Sequence, residues 1–168
     1  MYRILLVCFA VALCGFARKP KLSVRFHVEA TNNAGGSFTI PSKFVNPPRD
    51  GFIEAVPFAS EKNIVAIFPI EHANGGLGCA FQLNQSGALA LRTVSTQRRG
   101  ASVVGFISTK AGVHQLLDLP IDRPITDGVI YFPRGLSGGE IAELRKLYPL
   151  MEGKSSATPV PRTVQPVP

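Results

Sequence analysis

The residue types that carry out chemistry are sparse and scattered in this chain. His27, His72 and His114 lie far apart, and none has a second His or a Cys at the spacing that sets two ligands on one helix face or hairpin. Glu71-His72 is an adjacent acid–imidazole pair, but neighbours on a strand point to opposite faces and do not chelate together. No metal or cofactor is therefore expected. Asp118 and Asp122 flank Pro120. Paired carboxylates can share acid–base work when a loop makes them converge; otherwise they are solvated loop acids beside Arg123, which is the reading preferred here. No Gly-x-Ser-x-Gly nucleophile elbow occurs. Gly75-Gly76-Leu77-Gly78 looks phosphate-binding, but it precedes a strand pattern and offers no helix N-terminus, so it reads as a hairpin turn. Cys79 alternates with Leu77, Phe81 and Leu83, which marks a buried structural thiol. One surface remains: Arg92, Arg98 and Arg99 at the end of a predicted helix, with Lys110 nearby. Such a basic rim complements the helix dipole or draws an anionic lipid or wall polymer. Nucleic acid is not expected, because most of the 11 phenylalanines fall at core-facing positions.

The elements that must position these residues follow two periods. Leu22, Val24, Phe26 and Val28 share one strand face, with Ser23, Arg25, His27 and Glu29 on the other. Asn32 to Gly36 is a turn-rich break before a short strand through Phe38 and Ile40, and Asn46 to Gly51 reads as a loop. Phe52, Val56 and Phe58 are expected inward on the next strand. Ser60 caps a single helical turn before Ile64 to Ile70, a β-branched and aromatic run typical of a central strand. Asn84 is an N-cap for a helix over Gln85 to Arg98, with Ala88, Leu91 and Ser95 as a small-residue stripe. Strands are expected at Ala101–Ile107, Val113–Leu119 and Val129–Phe132, with a turn at Asp127-Gly128. Ser137 and Glu140 form a capping box for a last helix whose buried face is Ile141, Leu144 and Tyr148. Strands, helix, strands, helix is an α+β order, with helices packed on a mostly antiparallel sheet.

The two ends differ in composition from the middle. Arg3, the apolar run Ile4 to Cys14, and Gly15 and Ala17 before Arg18 read as a signal peptide over residues 1–17. An uncleaved anchor is the alternative, and lipidation at Cys14 a further one, ranked below because Leu13 precedes the cysteine. Loss of that segment removes one unit from the formal charge of +7, and takes Cys8 and Cys14 with it. Cys79 is then left without a disulfide partner, so stability must come from packing. Residues 151–168 turn to Pro, Ser, Thr and Val without periodicity and read as a flexible tail. The 168 residues accommodate one ordinary domain, and 17% charged residues, below the roughly 25% of soluble domains, argue against wholesale disorder.

The stretch from about Ser60 to Leu147 resembles the head part of the first periplasmic domain of SecD, a protein-export membrane component. Phe81-Gln82-Leu83 leads into Asn84 and Gly87-Ala88, as that family's strand runs into its Gly-Ala helix; Leu91, Ser95 and Gly100 follow in order. Ile121 to Gly128 is similar to the family's Pro-Ile-x-x-Gly connection, and Gly135-Leu136-Ser137 with Glu140, Ala142 and Leu144 to the opening of its last helix. Ser108 to Gly112 stands where the family has an Asp-Gly turn. The resemblance implies a ferredoxin-like α+β fold and a non-enzymatic role at the outer face of a bacterial inner membrane. Proton-coupled pumping is not carried over, since it needs membrane helices. The resulting expectation is a signal peptide (1–17), an N-terminal strand and hairpin extension (18–59), a SecD-head-like domain (60–150) and a tail (151–168). Its role is that of an exported, periplasmic or extracellular non-enzymatic domain binding protein or envelope material, with peripheral membrane contact through the basic rim. The alternatives are a membrane-tethered accessory of export, or a small extracytoplasmic enzyme using Glu71 and His72 or the Asp118 to Asp122 loop.

Overall fold

A computed structural model describes residues 22–31, 38–72, 75–110 and 112–152. The expected signal peptide, the Asn32–Gly36 break and the Pro-rich tail from Gly153 onward lie outside the described residues. Ten strands and two helices run in the order β1 (Leu22–Val28), β2 (Thr39–Val45), β3 (Pro48–Glu54), β4 (Ala59–Ser60), β5 (Ile64–Glu71), β6 (Leu77–Leu83), α1 (Gln85–Gln97), β7 (Ser102–Thr109), β8 (Gly112–Gln115), β9 (Leu119–Pro120), β10 (Val129–Leu136) and α2 (Gly138–Leu147). A single 3₁₀ turn, Glu61–Asn63, precedes β5, and the Asn63 side chain accepts from the Ser60 N–H at 3.0 Å. Among the described residues no helix is long and apolar enough to cross a membrane, which says nothing of strands.

The α+β order and the antiparallel pairing are as expected, but one continuous sheet is not. The strands form three ladders: sheet I (β4-β1-β7-β8, with β9 also on β7), sheet II (β10-β6-β5) and the hairpin β2-β3. Sheets I and II turn apolar faces toward one core. Phe26 of β1 stacks on Phe132 of β10 at 5.9 Å and meets Phe81 of β6 edge-on at 5.4 Å. Each of those rings is fully buried, and removing one from water is worth about 2–3 kcal/mol. Both helices bridge the sheets: α1 lies against β4 and β6, and α2 against β1 and β5. Their ends follow the local code. The Asn84 side chain accepts from the Gly87 N–H at 2.9 Å, and Glu140 closes the capping box with Ser137. The buried stripe of α1 is Gly87, Leu91 and Ser95, one position off the expected Ala88.

Four local expectations are corrected. Asn46 to Gly51 is not a loop: the chain turns at Asn46-Pro47 and returns as β3 from Pro48, a first strand position where no ladder N–H is needed. Phe58 packs against the main core beside Phe26 as expected, but Phe52 and Val56 are out of register, because Ile53 is the buried residue of β3 while Val56, beyond its end, is 71% exposed. Shifting by one residue moves every side chain to the opposite face. Ile64 to Ile70 is an edge strand; β6 is central in sheet II, and the outer edge of β5 is met at Ile67 by Pro149 and Met151. Val113 to Leu119 is two short strands, because the chain leaves the ladder between them to bury Leu116 and Asp118.

Candidate functional site

The second layer makes the site. The face of sheet I turned away from the main core is partly covered by the β2-β3 hairpin, whose Phe44 and Ile53 bury against Val104, with Phe106 beside them. Beyond that small core the two layers part. Ser23, Arg25 and His27 of β1, Phe106 and Ser108 of β7 and Val113 of β8 then face Ile40, Ile53 and Ala55 across an open cleft of about 300 Å³. A larger hollow of about 420 Å³, by contrast, is lined by the hairpin alone, at Pro41 to Lys43 and Asp50 to Phe52. A hollow of about 400 Å³ at the hairpin's other end, between Lys43 and Val45 and the Gln115 to Leu117 segment, also lies between the layers, but the cleft is the one that pairs Arg25 and His27 with apolar side chains of the hairpin.

Polar tethers hold the hairpin in place. Asp118 is fully buried, and its carboxylate accepts from the Val45 N–H at 2.6 Å and the Asn46 N–H at 3.1 Å. Gln115 donates to the Lys43 carbonyl at 2.8 Å and accepts from the Ser42 hydroxyl at 3.1 Å. Glu29 takes both guanidinium arms of Arg49, the second at 2.6 Å, together with the Ser102 N–H at 3.0 Å. That bond, against burial and with Coulombic help from Glu29 and Asp118, pushes the Arg49 pKa further up. The same guanidinium lies 4.3 Å above the Phe44 ring. At the other end Arg98 binds Glu54 at 2.5 Å and the Thr31 hydroxyl.

His27 forms the cleft floor. Its Nδ1–H donates to the Glu54 carbonyl at 2.8 Å, and its ring meets Phe106 edge-on at 5.5 Å. Burial pulls its pKa below the ordinary 6.5; the Glu54 bond opposes this and the charge of Arg25 adds to it. The cleft therefore offers one imidazole, held toward its neutral form, and one cation between apolar walls.

The expected basic rim does not form one surface. Arg92 and Arg99 are exposed, but Arg98 is spent on Glu54 and Thr31. Lys110 follows the far end of β7, roughly 25 Å along the strand at about 3.3 Å per residue. Nor is Asp118 a solvated loop acid. It is buried and committed to hairpin N–H groups, whereas Asp122 is exposed, so the two do not act as a pair. Glu71 is exposed at the end of β5; the His72 N–H bonds the Gly76 carbonyl, and neither residue lines the cleft. Among the described residues no three His, Cys, Asp or Glu side chains come together as metal ligands.

Arg25, His27 and Phe106 were missed as site residues because their strands alternate. The faces opposite the core read as solvent faces, and the hairpin that covers them begins only at Thr39, behind an apparent turn-rich break. The signal was present in Phe38 and Ile40, apolar residues with no place in the main core; they are 78% and 45% exposed.

No protein-family model matches the chain, and no curated protein matches it. Solved structures do. A membrane component, SecDF, that enhances protein export is 14% identical with a TM-score of 0.52, over 76% of this chain and 62% of that one. SecDF in a super-membrane-facing form is 16% identical with a TM-score of 0.49, over 78% of this chain and 19% of that one. The chain thus spans less than two thirds of either, and the first likeness assigns it a SecD-like α+β fold.

Proposed function

We propose that this SecD-like fold serves as a non-catalytic, extracytoplasmic domain that contacts polypeptide segments, with the cleft between sheet I and the hairpin as the contact surface. The cleft carries the reading: apolar walls and, among the described residues, one cation without an ion pair and no convergent acid–base or nucleophilic set. Two further observations support it. The comparable SecDF structure is described as enhancing protein export, and the composition of residues 1–17 is that of an export signal. In this role the main core is a rigid support, and the hairpin supplies the second wall.

A photo-crosslinking residue at Ser108, in the cleft, should join the domain to a secretory polypeptide arrested in transit through a reconstituted export channel. The same group at Leu89, 64% exposed on α1, should not. Equal crosslinking at both positions, or none at Ser108, overturns the proposal. Retention of the protein in membranes after an alkaline carbonate wash would mark the tethered form of the same role, with residues 1–17 kept as anchor.

A further inference from the structure

We infer that the cleft selects extended polypeptide segments bearing an acidic side chain between apolar neighbours, with Arg25 as the group that binds the carboxylate; this rests on the polypeptide-contact reading above. Among the described residues Arg25 and His27 are the ionisable groups lining the cleft, and no acid lines it. The carboxylates around the hairpin are already committed elsewhere. Glu29 holds Arg49, Glu54 holds Arg98, and Asp118 holds two backbone N–H groups. Asp50 shares the face of β3 that carries Glu54, since positions two apart fall on one side, and that is the face opposite buried Ile53. Arg25 itself makes no ion pair among the described residues and is exposed, so its charge is available to a ligand.

The walls define the rest of the ligand. Phe106, Ile40 and Val113 present apolar surface on either side of the cation, the latter two 45% and 67% exposed. A chain segment lying between them covers apolar area with its flanking side chains and brings a carboxylate to the guanidinium, whose planar fork donates an N–H to each oxygen. A lysine at the same position would be repelled by Arg25. The net charge of the whole chain, +7, works in the same direction at long range and low salt.

Blocked hexapeptides of sequence Ala-Val-Phe-Glu-Val-Ala, with Gln or Lys replacing Glu in the controls, test this by NMR titration of the full-length chain. The Ser23, Ser108 and Val113 amides report occupancy of the cleft. The Glu peptide should bind roughly fivefold more tightly than the Gln peptide, the scale of a partly exposed charge pair, and the Lys peptide more weakly still. The Glu–Gln gap should close in Arg25→Gln and in high salt, and persist in Arg25→Lys. Equal affinity for Glu and Gln peptides, or a gap that survives Arg25→Gln, overturns the acidic selectivity and leaves the polypeptide reading standing. No shift with any peptide overturns both. Phosphatidylglycerol vesicles that bind in an Arg25-dependent way, when the Glu peptide does not, would transfer the site to lipid and equally end the inference.

Discussion

At the floor of the cleft His27 is neutral because burial and the neighbouring Arg25 both disfavour its charge, more than the Glu54 carbonyl favours it. The sign of its pH dependence follows. The folded pKa lies below the unfolded 6.5, so the associated stability is fully present above pH 6.5 and is lost as pH falls through the folded value. Urea midpoints should therefore drop between pH 7 and pH 5 in the native chain, with a smaller drop in His27→Gln. An identical pH profile in that variant would show that His27 is not the group responsible. Cys79 shows burial acting on the opposite kind of group: desolvation pushes its thiol up to about 12, so it stays protonated and inert at neutral pH. That thiol was legible in the sequence, because a Cys in step with Leu77, Phe81 and Leu83 can only face where they face. Asp118 was not. Nothing in Leu-Asp-Leu-Pro distinguishes a solvated acid from one that takes backbone N–H groups of a turn 72 residues away.

Elements with local punctuation were read almost to the residue, and elements defined by partners were not. Both helices begin where Asn84 and Ser137 place an oxygen on an N–H three residues on, an interaction written entirely within four residues. The β-strands needed more. Gly78 is required because the Phe132 and Pro133 carbonyls of β10 occupy the space a Cβ would take. Gly105 lies on the inner face of β7, where a Cβ would stand 2.8 Å from the Phe132 ring and 3.1 Å from Leu116. Phe132 is fully buried between the two sheets and cannot withdraw without disturbing Phe26 and Phe81. Gly105→Ala should therefore cost about 1–3 kcal/mol by overpacking, read as a lower urea midpoint with unchanged slope. A neutral result would mean that the sheets part easily at this point. The exposed Val113 on β8, by contrast, should tolerate Ala with little change in stability.

For the molecule as a whole, two cores of unequal size imply two levels of stability. Among the described residues the main core gathers twenty buried residues across both sheets and both helices; the hairpin rests on Phe44, Ile53 and Val104. The hairpin should open before the rest, and its polar tethers, Asp118 above all, determine how readily. Asp118→Ala removes the acceptor of the Val45 and Asn46 N–H groups and should lower the free energy required to open the hairpin by about 2–3 kcal/mol. Hydrogen exchange checks it: amides of Val45 and Phe44 should speed up while those of Phe81 and Val103 keep their protection. Uniform loss of protection across both cores would show a single cooperative unit. Since the hairpin is one wall of the cleft, the same substitution should weaken peptide binding as well.

The sequence alone determined where apolar residues recur at period two, where helices start, and that no set of catalytic or metal-binding residues is spaced for local assembly. From these followed an α+β chain with a buried thiol, and the resemblance of its segments to the SecD head added the expectation of that family's order. Only the tertiary structure decided that the strands divide into two facing sheets with a hairpin laid over one of them, and so that Arg25 and His27 share a cleft. The reason is physical. Periodicity and capping are short-range, fixed by neighbours within a turn or a strand, whereas the pairing of Asp118 with Val45 or of Ile53 with Val104 depends on which distant surfaces exclude water together.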